Sequence, residues 1–178
     1  MLRDLGKEGS PDEFDILNGP NLREVVACLK RTHRLEAEEE ELRALYQRKM
    51  ARAYQDVQLV DGVAIVLAAI KDHGYELALV SSAPREAIRA VLARHALGFD
   101  VVVSGDDVAE AKPAPAIYKE AARQLTGDIL VVEDATNGIE SALAAGLKVV
   151  AFRNGHDRAT YHVESMGDVL DIVHGYRV

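Results

Sequence analysis

Four short apolar runs, at residues 76–80, 99–103, 128–132 and 147–152, alternate with segments of helical periodicity over most of the second half of the chain. Runs that are apolar throughout suit strands buried on both faces, and the helices between them are the crossovers that parallel strands require. The pattern predicts an α/β body: a parallel sheet with helices on both faces. Its helices are expected at residues 62–73, 84–95, 114–125 and 166–173. A further helix is expected to open on a capping box of Asn137 and Glu140 and to end at Gly146. His162 and Val163 are expected to form a minor strand.

The chain upstream has another character. Residues 1–19 are polar and carry Gly6, Gly9, Pro11 and Gly19, which reads as a loop or disordered terminus. Residues 20–59 hold two amphipathic helices and no strand. Asn21 with Glu24 forms a capping box ahead of Leu22, Val25, Val26 and Leu29. The acidic run Glu38 to Glu41 then opens a helix running through Leu42, Leu45, Tyr46, Met50 and Tyr54. Three parts are thus expected: a terminus at 1–19, a helical appendage at 20–59 and the α/β body at 60–178.

Composition narrows the function classes. A net charge of -8 and only 5% aromatic residues, with no tryptophan, argue against nucleic acid as a partner. No run approaches the length of a membrane span, and the first residues lack the apolar core of a secretory signal. Cys28 is the only cysteine, so no internal disulfide forms and a cytoplasmic location is expected. The six histidines have no compact ligand spacing, and no Gly-rich dinucleotide fingerprint or P-loop is present.

Chemistry in such a sheet belongs to the loops at the carboxyl ends of the strands. Ser81 and Ser82 precede a helix opened by Pro84, so a hydroxyl and free amides can meet an anion there. Arg85 at that helix start opposes the dipole, a conflict that an anion or a neighbouring carboxylate relieves. Lys112 lies near Asp106, Asp107, Glu133 and Asp134, where a compact ammonium can offset these carboxylates and a phosphoryl group. Glu133 and Asp134 follow a buried run, where paired carboxylates must be solvated, hydrogen-bonded or metal-bound, and such oxygen donors suit Mg²⁺.

Leu79-Val80-Ser81-Ser82, Lys112-Pro113 and Val132-Glu133-Asp134 with Asn137-Gly138-Ile139 resemble the second, third and fourth motifs of the haloacid dehalogenase-like phosphohydrolases. The phrases SGDDVAEAKPAPAIY and VVEDATNGIESALAAG look closest to the branch of β-phosphoglucomutase and phosphoglycolate phosphatase. The resemblance covers residues 60–155 and implies a Rossmann-like core. Residues 18–59 resemble the latter part of a helical cap. By this resemblance Ser81 bonds the transferring phosphoryl group, with Ser82 beside it, and Lys112 neutralises the charge. Glu133 and Asp134 organise Mg²⁺. Arg85, Asp106, Asp107 and Asn137 take supporting or substrate roles, and Arg23 and Lys30 are cap candidates for a second anionic group. The implied substrate is a small phosphorylated metabolite, and the implied reaction is a phosphatase's or a phosphomutase's.

The family's opening strand, ending in Asp-x-Asp with the nucleophile as its first aspartate, has no counterpart here. No Asp-x-Asp pair occurs in the chain, and Asp15 is only a remote candidate because no buried strand precedes it. That strand belongs between the one ending at Ser81 and the one ending at Glu133. The chain is therefore expected to be inactive as it stands, a truncated phosphatase. The alternatives are a strand supplied by another chain, with self-association through the gap, or by a rearranged N-terminus, or a non-catalytic phosphate-binding or protein-interaction module.

Overall fold

Each apolar run becomes a parallel strand, and the segments between them become helices. The computed structural model describes residues 1–17, 20 and 22–175, with residues 14–16 as backbone alone. In chain order the elements are α1 (Pro11–Leu17), α2 (Leu22–His33), α3 (Glu39–Gln55), α4 (Val63–Asp72), β1 (Ala78–Ser81), α5 (Arg85–Arg94) and β2 (Val101–Ser104). They continue with α6 (Ala116–Gln124), β3 (Leu130–Glu133), α7 (Thr136–Ala144), β4 (Lys148–Phe152), β5 (Tyr161–Val163) and α8 (Met166–Gly175). The proposed cap at Asn21 and the side chain of Asp15 lie outside the described residues; the backbone at residue 15 is helical, within α1.

All strand pairings are parallel, with Ser81 opposite Ser104, Glu133 opposite Ala151 and Phe152 opposite Val163. The strands form two sheets among the described residues, β1-β2 and β3-β4-β5. The break falls between β1 and β3, where the sequence left a gap. One core nevertheless spans both sheets: Val101 and Val103 of β2, Val131 of β3 and Val149 and Ala151 of β4 pack with Ile117, Tyr118 and Ala121 of α6 and Ile139 of α7. The alternate residues of β4, Val150 and Phe152, pack with Val163 and Val169 on the α8 side. This alternation covers the sheet on both faces.

Helix α6 ties the two sheets into one frame. Just past its carboxyl end, Thr126 donates from its amide and its hydroxyl to Glu76, ahead of β1, at 3.2 and 2.8 Å. Near its amino end, Tyr118 reaches Glu133 at the carboxyl end of β3. The helix thus runs against both strands, so β1 and β3 point the same way and their carboxyl ends lie on one side.

Residues 1–17 correct the expectation of a loop. A short 3-10 helix, Leu2–Leu5, precedes α1. The signal for α1 was present: Ser10 accepts from the Glu13 amide at 3.1 Å, Pro11 occupies the first helical position, and Asp12 and Glu13 complement the positive end. Glu13 also accepts a 2.7 Å bond from His33 of α2. Leu2 and Leu5 pack against a small cluster of Val26, Leu35 and Leu42, which belongs to the α2–α3 segment. Full burial of Leu42 alone contributes about 1.5–3 kcal/mol. The capping box of Asn137 and Glu140 is also corrected: α7 opens at Thr136 with Ala135 at the cap position and no side-chain cap. Glu140 instead binds His156 at 2.8 Å and Arg158 at 2.9 Å.

Candidate functional site at the carboxyl ends of β1 and β3

Lys112 sits in the segment between β2 and α6, where only 6% of it is exposed. Its ammonium donates to Glu133 Oε2 at 2.7 Å and to the Tyr118 hydroxyl at 3.3 Å. Tyr118 in turn donates to the same Glu133 oxygen at 2.5 Å. The other oxygen, Oε1, accepts the amides of Asp134 and Ala135 at 3.2 and 3.1 Å. Burial alone would raise the Glu133 carboxyl, but Lys112, Tyr118 and the Ala135 amide outweigh it and hold the group below its ordinary value. Burial, followed by the Glu133 charge, pushes the Tyr118 phenol far up, so it stays a donor. The Lys112 segment is pinned from α7, where buried Ser141 donates to the Ala114 carbonyl at 2.7 Å.

The β3 loop leaves one carboxylate differently placed. Asp134 faces outward, and partial burial with the neighbouring Glu133 charge raises its carboxyl. Its backbone carbonyl accepts from the Asn154 side chain at 2.8 Å, which joins the loop to the one after β4.

The loops after β1 and β2 are clasped together. The Arg85 amide donates to Asp106 at 2.8 Å, and its guanidinium donates to Asp107 Oδ2 at 2.5 Å. That oxygen also accepts the amide and hydroxyl of buried Ser104, both at 2.7 Å. Asp107 is consequently held well below the usual carboxylate range, with the Arg85 bond as the largest cause. The opposing charge anticipated at Arg85 is thus a neighbouring carboxylate. Gly105 permits this approach, since a Cβ there would meet the Ser82 carbonyl oxygen. Ser81 Oγ accepts from the Ala83 amide at 3.1 Å and so shapes its own turn.

Two cavities meet this region. A larger one of about 730 Å³ is lined at one end by Ser81, Glu133 and Asp134. A smaller one of about 230 Å³ is lined by Arg23, Ser82, Gly105, Glu110 and Lys112. The fold therefore gathers Ser81, Ser82, Lys112, Glu133 and Asp134 around one sheet end. Arg85, Asp106 and Asp107 brace the loops. Lys30 turns to its own segment, donating to the Ala37 carbonyl at 2.7 Å. No group of three or more His, Cys, Asp or Glu able to hold a metal occurs among the described residues. None of their helices is long and apolar enough to cross a membrane.

The family model for haloacid dehalogenase-like hydrolases matches residues 2–152. The chain belongs to that family. Among relatives of this haloacid dehalogenase-like chain, a plasmid-borne phosphoglycolate phosphatase of Cupriavidus necator is 32% identical over 169 residues, covering 88% of this chain and 71% of the relative. The bifunctional riboflavin kinase/FMN phosphatase of Arabidopsis thaliana is 28% identical over 152 residues, covering 82% of this chain and 40% of the relative. The first curated relatives are covered over only 40%, 54% and 45% of their length, so the chain spans about half of each. Among solved structures, CbbY from Rhodobacter sphaeroides in complex with phosphate superposes with a TM-score of 0.77 at 24% identity, over 94% of this chain and 84% of that one. β-Phosphoglucomutase from Clostridium difficile superposes with a TM-score of 0.84 at 18% identity, over 98% and 84%. These likenesses show the haloacid dehalogenase-like fold.

Sequence reasoning missed Tyr118. Its signal was weak, because a tyrosine beside Ile117 on an apolar helix face reads as core, and only the fold brings its hydroxyl to Glu133. Asn154 and Ser104 were seen only as loop residues.

Proposed function

We propose that this chain carries the phosphate-binding part of a Mg²⁺-dependent phosphatase or phosphomutase for small phosphorylated metabolites, on the phosphoglycolate phosphatase and β-phosphoglucomutase branch. The observation that carries the reading is the buried Lys112–Glu133 pair placed beside the Ser81-Ser82 turn at one sheet end. In this reading Ser81, Ser82 and the adjoining amides take the phosphoryl oxygens, and Lys112, already fixed by Glu133 and Tyr118, offsets their charge. Arg23, on α2 across the smaller cavity, suits a second anionic group of the substrate. Residues 20–59 act as a cap remnant over the 60–178 core, enclosing a small substrate rather than a macromolecule.

The donor set fits a hard cation at one point. Asp134 offers a carboxylate whose raised value a divalent charge would relieve, while both oxygens of Glu133 are already engaged. Asp134 would then hold Mg²⁺ directly and Glu133 would position Lys112, the remaining ligands being water and phosphate oxygens. When bound, the ion supplies charge neutralisation at the phosphoryl group.

With no Asp-x-Asp pair, the chain by itself lacks the nucleophile that the family resemblance implies, and binding without turnover is its expected behaviour. The same absence and the divided sheet favour a second reading, a non-catalytic phosphate-binding or interaction module that self-associates through the gap. Both readings place the protein in the cytoplasm, in keeping with a lone cysteine. Calorimetric titration of the folded chain with inorganic phosphate, with and without Mg²⁺, tests the site. Phosphate binding strengthened by Mg²⁺ and made Mg²⁺-independent by Asp134→Asn is the expected result. No phosphate binding by folded protein would overturn it, and turnover of a phosphorylated-metabolite panel by the same chain would overturn the expected inactivity.

A further inference from the structure

The loop after β4 is fastened along one side of α7. Thr136 and Glu140 stand one helical turn apart, so their side chains share a face, and the loop crosses both. At the first crossing the Asn154 side chain donates to the Asp134 carbonyl at 2.8 Å and to the Thr136 hydroxyl at 3.4 Å. At the second, Glu140 accepts His156 on Oε1 at 2.8 Å and Arg158 on Oε2 at 2.9 Å. The loop also bonds within itself. The Asn154 side-chain oxygen accepts the His156 amide at 3.0 Å, and the His156 carbonyl accepts the Ala159 amide at 3.1 Å and the His162 ring at 2.9 Å.

One arrangement of protons satisfies this network. The Arg158 amide donates to His156 Nδ1 at 3.3 Å, so that nitrogen is an acceptor and the ring proton sits on Nε2, facing Glu140. The His156 amide can only donate, which fixes the oxygen end of Asn154 toward it and turns the NH₂ end to the Asp134 carbonyl. What the network finally holds is the backbone of Asp134. Its amide donates to Glu133 Oε1 at 3.2 Å, and its carbonyl is taken by Asn154. With a partner on each side, the residue keeps its carboxylate outward, where it lines the larger cavity with Ser81 and Glu133.

We infer that Asn154 is the positioning residue for the Asp134 carboxylate, held to that task by His156 and Glu140. The inference rests on the reading of Asp134 as the group that meets Mg²⁺, and it assigns a role to the loop after β4 that this reading leaves open. A carboxylate that shares a cation with water and phosphate must be held at one angle, and outer partners that hold such groups typically account for about 10–100-fold in metal affinity. None of the three residues touches the phosphate end of the site at Ser81, Ser82 and Lys112 among their given contacts, so the effect should fall on the cation alone.

Calorimetric titration of the intact chain with Mg²⁺, and with inorganic phosphate in the presence and absence of Mg²⁺, tests the inference. Asn154→Ala should weaken Mg²⁺ binding by about tenfold or more and leave Mg²⁺-free phosphate binding within about twofold of the parent. His156→Ala should act in the same direction. His156→Gln, whose side-chain NH₂ can reach Glu140 as Nε2 does, should restore the affinity. Two readouts need no metal: amide exchange at residues 134 and 135 should quicken in Asn154→Ala while β4 stays protected, and the ¹⁵N spectrum of the parent should place the His156 proton on Nε2. Circular dichroism checks that each variant is folded. Unchanged Mg²⁺ affinity in Asn154→Ala, an equal loss of Mg²⁺-free phosphate binding, no rescue by His156→Gln, or a proton on Nδ1 would overturn the inference while the parent still binds phosphate more tightly with Mg²⁺. A parent whose phosphate binding ignores Mg²⁺ would instead overturn the reading of Asp134, and this inference with it.

Discussion

Gly138, on the first turn of α7, stands against the carboxyl group of Glu133 so closely that a Cβ on it would fall on that carboxyl carbon. The missing side chain is what lets Glu133 fold back to reach Lys112, Tyr118 and the loop amides at once. Gly138→Ala should therefore destabilise the chain although alanine is the better helix former. Helix propensity favours the variant by about 1 kcal/mol, whereas disrupting a buried ion pair costs about 3–5 kcal/mol, a net loss of at least about 2 kcal/mol. Urea denaturation measures it, and a variant as stable as the parent would show that Glu133 does not depend on this space.

The buried pair should respond unequally to single and double replacement. Lys112→Met leaves an uncompensated carboxylate and should cost about 3–5 kcal/mol, while Lys112→Met with Glu133→Gln should recover much of the loss. A double-mutant cycle by denaturant unfolding reads the coupling. Recovered stability should not restore phosphate affinity, because the ammonium is gone from both variants.

Acid should release the clasp between the β1 and β2 loops. Asp107 has a folded value below its ordinary 3.8, chiefly through Arg85, so its contribution is fully present above about that pH and is lost as the pH falls through the lower folded value. The stability difference between the parent chain and Asp107→Asn should accordingly shrink below pH 3.8. With the side chain partly open to solvent, the effect should also weaken in high salt. Urea midpoints across pH 2–6 check the sign; a difference that grows on acidification would contradict it.

The α2–α3 segment has its own small core, in which Leu42 is 1% exposed. Leu42→Ala should cost about 2–5 kcal/mol locally. Hydrogen exchange should show lost protection in α2 and α3 while β3 and β4 keep theirs. Equal loss throughout would mean that this segment and the sheets unfold as one unit.

Much of this organisation was legible before any coordinates. Strands at residues 78–81, 101–104, 130–133 and 148–152 lie within or one residue beyond the apolar runs, because burial on both faces leaves a direct mark on the sequence. Serines, lysine and carboxylates at successive strand ends likewise pointed to one end of the sheet. The segment of the 3-10 turn and α1 has the composition of a loop, because its glycines and prolines outweigh a helix start carried by Ser10 and Pro11 alone.

From residue 22 onward the sequence by itself determined which segments become strands and helices, that the strands run parallel, and which loops carry the polar groups. Hydrophobic periodicity and crossover length are local properties, readable within a few turns of chain. Only the tertiary structure decided how those groups are shared. It turned Glu133 inward to Lys112 and Tyr118 while Asp134 stayed outward, and it gave Arg85 to Asp106 and Asp107. It also left a slot between β1 and β3, closed by helices that hold the two sheets in one frame. Such choices rest on contacts between residues far apart in the chain, where pairing of buried charges and satisfaction of backbone groups are settled by packing rather than by neighbouring residues.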